Sequence, residues 1–129
     1  MALDEAKIES WCRTGREHEK LEFKEAKEQV SYDRLCEYCV AIANEGGGDF
    51  VLGITNAQPR RVVGTKAIDD PVGMRRKLQQ TLGFRVEIEE FVHPDGRVVA
   101  VGIPSRPRGT AYQLNGRYLM RAGESIVPM

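Results

Sequence analysis

Four glutamates lie close together near the amino terminus of this chain: Glu17, Glu19, Glu22 and Glu25. Carboxylates at such density suit divalent-cation chemistry. The alternation in Lys20-Leu21-Glu22-Phe23-Lys24 describes a short strand, with Leu21 and Phe23 turned to the core and Glu22 and Lys24 turned away. Glu17 falls in the turn before that strand, so the Glu17 and Glu22 carboxylates can converge on one metal ion. Metal-dependent phosphodiester cleavage typically needs a third acid to fix the ions for in-line attack, and the pattern alone supplies none. On spacing alone, the plainer reading is a solvated acidic face.

Other chemistry-bearing residues read as structural. Gly46-Gly47-Gly48 offers backbone N–H groups that could approach an anion, but it joins a helix to a strand, the reverse of the order that aims a helix N-terminus at phosphate. Neither a G-x-x-x-x-G-K-[ST] nor a G-x-G-x-x-G pattern occurs, so the triplet reads as a tight helix-ending turn. Cys36 and Cys39 share the middle of a helix, and Cys12, His18 and His93 are scattered singly, so buried packing is favoured over a zinc site. No Ser or Cys stands at suggestive spacing from either histidine, which leaves both without a catalytic assignment.

The elements that must position these residues follow from period and punctuation. Leu3, Ile8, Trp11 and Cys12 recur at helical spacing, predicting a helix over 3–13 that ends near Gly15. Ser31 is a candidate N-cap for a second helix carrying Leu35, Cys39 and Ile42. Phe50-Val51-Leu52-Gly53-Ile54 reads as a central strand buried on both faces, and Val62-Val63 as a brief edge element. A third helix spans 70–82, with Pro71 at its start and Gly83 at its close. Residues 84–89 and 98–103 form a hairpin about Pro94-Asp95-Gly96, and 112–114 pairs with 117–121 through the Asn115-Gly116 turn. Strands and helices mix without regular βαβ alternation, so the class is α+β: a mixed sheet, about three helices and C-terminal hairpins.

Composition is that of an ordinary globular domain, and 129 residues suffice to bury a core without disulfides or a structural metal. The three cysteines, an odd number, together with the absence of a signal-peptide pattern, predict a cytoplasmic location. Nineteen basic residues balance nineteen acidic ones, but unevenly. Residues 1–58 hold 7 basic and 12 acidic, a balance of −5, and residues 59–129 hold 12 basic and 7 acidic, a balance of +5. Local potential rather than total charge decides polyanion binding, although such segregation also describes a mixed solvated surface.

Four segments together carry a family likeness. Glu17-x4-Glu22-Phe23-Lys24, then Ala43-Asn44-Glu45-Gly46-Gly47-Gly48-x-Phe50-Val51-Leu52-Gly53-Ile54, then Val63-Gly64, and finally Tyr118-Leu119-Met120-Arg121-Ala122-Gly123-Glu124-Ser125 resemble the Schlafen AlbA-like domain, also labelled a divergent AAA or DNA-binding domain. The likeness runs from about Glu9 to the C-terminus. It implies an α+β fold and nucleic-acid binding, DNA or RNA, of the kind found in bacterial transcriptional regulators. In animal Schlafen proteins it implies a two-lobed cradle whose three acidic residues cleave transfer or ribosomal RNA. Glu17 and Glu22 match two of those acids, whereas Thr55 or Asn56 stands where the third is carried.

The resemblance and the basic C-terminal half together predict a binding module without a cofactor. Arg60, Arg61, Arg106, Arg108, Arg117 and Arg121 are its candidate phosphate contacts, because the planar guanidinium fork suits phosphate oxygens. The alternative is a ribonuclease holding Mg²⁺ or Mn²⁺ on Glu17 and Glu22, with Lys24 stabilising the developing phosphorane charge. A protein-interaction or oligomerisation domain is a further alternative. Residues 1–129 are expected to form one domain, either alone or at the start of a longer regulator. A homodimer is expected through the edge of the Tyr118–Arg121 segment, pairing two lobes where the animal proteins carry both in one chain.

Overall fold

The computed structural model describes residues 3–13, 21–122 and 125–129. In chain order the elements are α1 (Glu5–Arg13), β1 (Leu21–Lys24), α2 (Tyr32–Asn44), β2 (Gly48–Leu52), α3 (Pro71–Leu82), β3 (Glu87–His93), β4 (Gly96–Ile103), β5 (Gln113–Leu114), β6 (Arg117–Ala122) and β7 (Ser125–Pro128). Local chemistry sets the helix ends. Ser31 Oγ accepts from the Arg34 N–H at 3.4 Å to open α2, and Asp70 Oδ1 accepts from the Gly73 N–H at 3.1 Å to open α3, with Pro71 behind it. Gly83 closes α3 at φ 78°.

The glycine triplet is the expected turn, and Gly47 shows why glycine is needed there. Its φ is +85°, and a Cβ would lie 2.8 Å from both the Ile103 oxygen and the Ser105 nitrogen. Backbone is the obstacle, so no side-chain movement relieves it.

The main sheet has strand order β1-β2-β4-β3, with β1 and β2 parallel and the other pairs antiparallel. Both of its faces are covered. Ile8 and Trp11 of α1 pack on one face with Leu21, Phe23, Val51 and Ala100. On the other, α2 and α3 pack on Phe50, Leu52, Val99 and Val101. The expected two-sided burial of β2 is therefore present, and Val62 makes a single bridge to Ile54. Among the described residues no helix is long and apolar enough to cross a membrane.

Three expectations need correction. Glu22 does point away from Leu21 and Phe23, but the face it enters is covered by α2 and the C-terminal strands, and it is 1% exposed. The third-helix loop runs further than alternation suggests: Phe84 and Val86 are buried outside any ladder, Phe84 stacks on Tyr112 at 4.2 Å, and β3 starts at Glu87 and continues to His93. Finally, β6 has no open edge. It lies in the middle of the second sheet, β5-β6-β7, because Ser125–Pro128 folds back along it.

Candidate functional site

Arg121 is brought by β6 over the α2 face of β1. Its Nη1 donates to Glu22 Oε1 and to the Leu21 carbonyl oxygen, each at 3.0 Å. Its Nε lies 3.3 Å from Glu45 Oε1 and its Nη2 3.4 Å from Glu45 Oε2, while its backbone N–H donates to Glu45 Oε1 at 2.7 Å. Lys24 Nζ stands 3.8 Å from Glu22 Oε2. The Glu22 and Arg121 side chains are 1% and 7% exposed. Burial alone would lower the Arg121 pKa, but hydrogen bonds to Glu22 and Glu45 outweigh it and hold the guanidinium above its ordinary value. Glu22 thus belongs to an internal network whose charges are met, and metal ligation through Oε1 would require Arg121 to withdraw.

Of the other residues expected at the cleavage site, Lys24 is the one that stands beside Glu22 among the described residues. Glu17 and His18 lie outside the described residues. Thr55 is buried, and its hydroxyl accepts from the Arg61 N–H at 3.0 Å and donates to the Ala57 carbonyl at 3.3 Å, which organises the 55–61 turn. Asn56 lies in the same turn, half-buried. Among the described residues no three His, Cys, Asp or Glu side chains are grouped to hold a metal ion.

Cys36 and Cys39 are buried in α2, and burial pushes both thiols up. His93 is buried, with Nε2 3.0 Å from Glu9 Oε1. Its Nδ1 accepts from the Asp95 N–H at 3.0 Å, so in the neutral ring Nε2 carries the proton, and the residue ties α1 to the β3–β4 turn.

The six candidate arginines divide. Arg61, Arg108 and Arg117 are exposed. Arg60 is 6% exposed, with its guanidinium 4.5 Å above the Phe23 ring, so it packs in the core instead of facing a ligand. Arg106 caps α2: its Nε donates to the Asn44 carbonyl at 3.0 Å, its Nη1 to Thr110 O at 2.6 Å and its N–H to Ala43 O at 2.9 Å. Arg121 is committed to the network above.

One cation missed in the sequence changes the picture. Arg34 Nη1 lies 2.9 Å from Glu37 Oε1, and Arg117 Nη2 lies 3.4 Å from Glu37 Oε2. The Arg34 guanidinium is 5.3 Å from the Tyr38 ring centre and Lys24 Nζ is 5.5 Å from it, while Phe50 stacks on the same ring at 4.7 Å. Lys24, Arg34 and Arg117 therefore gather around Tyr38 and Glu37 from three separate elements. The i, i+3 and i, i+4 spacings of Arg34 to Glu37 and Tyr38 are legible in the sequence. Their meeting with β1 and β6 is not.

A mixed sheet covered on both faces, joined to a small antiparallel sheet through a buried arginine–carboxylate network, defines an α+β domain with a basic corner. The family model described as "Schlafen, AlbA_2" matches residues 17–129, and the chain belongs to that family. No curated protein matches the sequence significantly. Among solved structures, the DIP2311 protein of Corynebacterium diphtheriae is similar at 19% identity and TM-score 0.69, over 96% of this chain and 26% of that one. The N-terminal domain of a RecG-related protein from Nitrosomonas europaea, provisionally described as an ATP-dependent DNA helicase, is similar at 19% identity and TM-score 0.56. That likeness covers 92% of this chain and 87% of the domain. This chain thus spans about a quarter of the length of the first of these proteins.

Proposed function

We propose that this chain is a nucleic-acid-binding module that grips phosphates at the Lys24–Arg34–Arg117 corner and does not cut them. The observation that carries the reading is the convergence of three cations from β1, α2 and β6, with Arg34 and Arg117 sharing Glu37 and Arg34 and Lys24 sharing the Tyr38 ring. Arginine forks held by a neighbouring carboxylate and ring are pre-oriented for phosphate oxygens. Membership of the Schlafen, AlbA_2 family and the fold shared with a helicase-related domain support it. Arg61 and Arg108 are further exposed contacts. Against cleavage stand the engaged Glu22 carboxylate and the uncharged Thr55 and Asn56. The module works without a cofactor, Mg²⁺ or Mn²⁺ being needed only for cleavage, as part of a bacterial-type transcriptional regulator. It pairs as a homodimer to double the phosphate contacts, through β5 or β7 now that β6 is enclosed.

Mobility shift with single- and double-stranded DNA and with structured RNA tests the binding. Three phosphate contacts predict a log K against log[salt] slope of roughly −2 to −3. Each of Arg34→Ala and Arg117→Ala should reduce its magnitude by about one. Absence of binding at low salt, or a slope unaltered by both substitutions, overturns the reading. Transfer RNA incubated with Mn²⁺ should stay intact, and cleavage abolished by Glu22→Gln in a variant whose thermal midpoint shows it folded would replace binding with catalysis. Light scattering should give twice 14.5 kDa.

A further inference from the structure

On the opposite face of the main sheet, away from Tyr38, α1 leaves a cleft of about 590 Å³ between itself and strands β2, β4 and β3. Its floor is shallow for a reason visible in the register. Gly102 of β4 is paired with Asp49 on one side and Glu87 on the other, and Ala100 is paired with Glu89. The middle strand therefore offers almost no side chain, while carboxylates stand on both banks.

Gly102 is not demanded by the backbone. Its φ is not in the left-handed region, and a Cβ there would meet Asp49 Oδ1 at 3.7 Å and Glu87 Cβ at 3.8 Å, which is ordinary contact. The fold tolerates a side chain at this position. What its absence keeps is open space.

The charges lining that space are unequally served. Glu87 is met by Arg85 at 2.8 Å and by Arg75 at 3.5 Å. Lys7 Nζ lies 5.5 Å from the Trp11 ring centre. Among the described residues no hydrogen bond or ion pair within 4.0 Å reaches the carboxylate of Asp49 or Glu89. Burial raises the Asp49 carboxyl above its ordinary value, Lys7 offsets part of the effect, and the charge of Glu89 adds a smaller rise. The acids are spread too widely to be grouped around one metal ion. Asp49 and Glu89 sit two strands apart and two residues out of register, which places their Cα atoms about 12 Å apart by sheet geometry.

Two separated carboxylates, a floor of glycine and alanine, and an indole wall match an extended molecule with an aliphatic stem and cationic ends. We propose that this cleft binds an aliphatic polyamine of the spermidine type, its ammonium groups on Asp49 and Glu89 and its methylenes over Gly102 and beside Trp11. The site is on the other face of the sheet from the phosphate corner, so it stands or falls independently of nucleic-acid binding.

Trp11 is the only tryptophan of the chain and reports directly. Titrating the full chain with spermidine should change its fluorescence saturably, with MgCl₂ at matched ionic strength as the control. Asp49→Asn and Glu89→Gln should each weaken the apparent affinity by about tenfold. Gly102→Val, whose folding is checked by its thermal midpoint, should abolish the response by filling the floor. A linear response, an equal response to Mg²⁺, or an affinity unchanged in Asp49→Asn overturns the proposal.

Discussion

Arg121 Nη1 and Glu22 Oε1 are 3.0 Å apart in space and 99 residues apart in sequence. The contact joins the first strand of the main sheet to the middle strand of the second sheet, and Glu45, at the end of α2, holds the same guanidinium. Three of the segments that carry the family likeness are thus physically one structure. The E-F-K strand supplies an acceptor, the A-N-E-G-G-G turn supplies another, and the R-x-G strand supplies the donor between them. Glu22, whose spacing reads as a solvated acidic face, is here a buried partner of Arg121.

Removing either charge should expose that role. Arg121→Ala is expected to cost about 3–5 kcal/mol, because buried Glu22 keeps only Lys24 at 3.8 Å and Glu45 loses its partner, and Glu22→Ala is expected to cost less, because Glu45 still holds the guanidinium. The double substitution should cost much less than the sum of the two, since both charges leave together. Urea unfolding of the three variants at neutral pH measures the coupling, and additive losses would show that the two side chains act separately.

Asn44 should anchor the second sheet. Its side chain donates to the Tyr112 and Leu119 carbonyls at 3.1 and 3.0 Å and accepts from the Tyr112 N–H at 2.7 Å. Asn44→Ala leaves those backbone groups without partners and is expected to cost about 2–4 kcal/mol. In hydrogen exchange, amides of β5 and β6 should lose protection ahead of those in β2 and β4. Uniform loss across all four strands would show one cooperative unit instead.

Asp49 gives a pH signature. Burial raises its carboxyl in the folded chain above the ordinary value of 3.8, so the folded state binds that proton more tightly than the unfolded state does. The cost of ionising it is absent below that ordinary value, grows as pH rises towards and through the folded pKa, and is fully present above it. Asp49→Asn should therefore raise the thermal midpoint at neutral pH, and the advantage should vanish in acid. A gain independent of pH would place its cause elsewhere.

Adjacent arginines should separate cleanly. Arg60 is packed over Phe23, so Arg60→Ala is expected to lose roughly 1–3 kcal/mol of stability from packing and cation–π contact. Arg61 is exposed, and Arg61→Ala should leave the folding stability within about 0.5 kcal/mol of the parent while weakening nucleic-acid binding. Thermal melting and filter binding on the same preparations check both, and equal destabilisation by the two substitutions would contradict the assignment.

The sequence by itself determined what short-range chemistry determines. Ser31 and Asp70 start helices because their side chains meet an N–H three residues on, Gly83 ends one because αL is open to it, and Asn115-Gly116 turns a hairpin because both residues accept positive φ. The parity of β1 was equally legible: Glu22 does point opposite to Leu21 and Phe23. Whether that direction meant water depended on what packed there, and only the tertiary structure brought α2 and β6 onto that face. The same distant pairing buried Arg121, paired β7 with β6, and brought Arg34 to Lys24 and Arg117. Caps and turns close within a few residues, so their energies can be read from neighbours. Burial and charge pairing are set between segments up to 99 residues apart, whose approach no local spacing encodes.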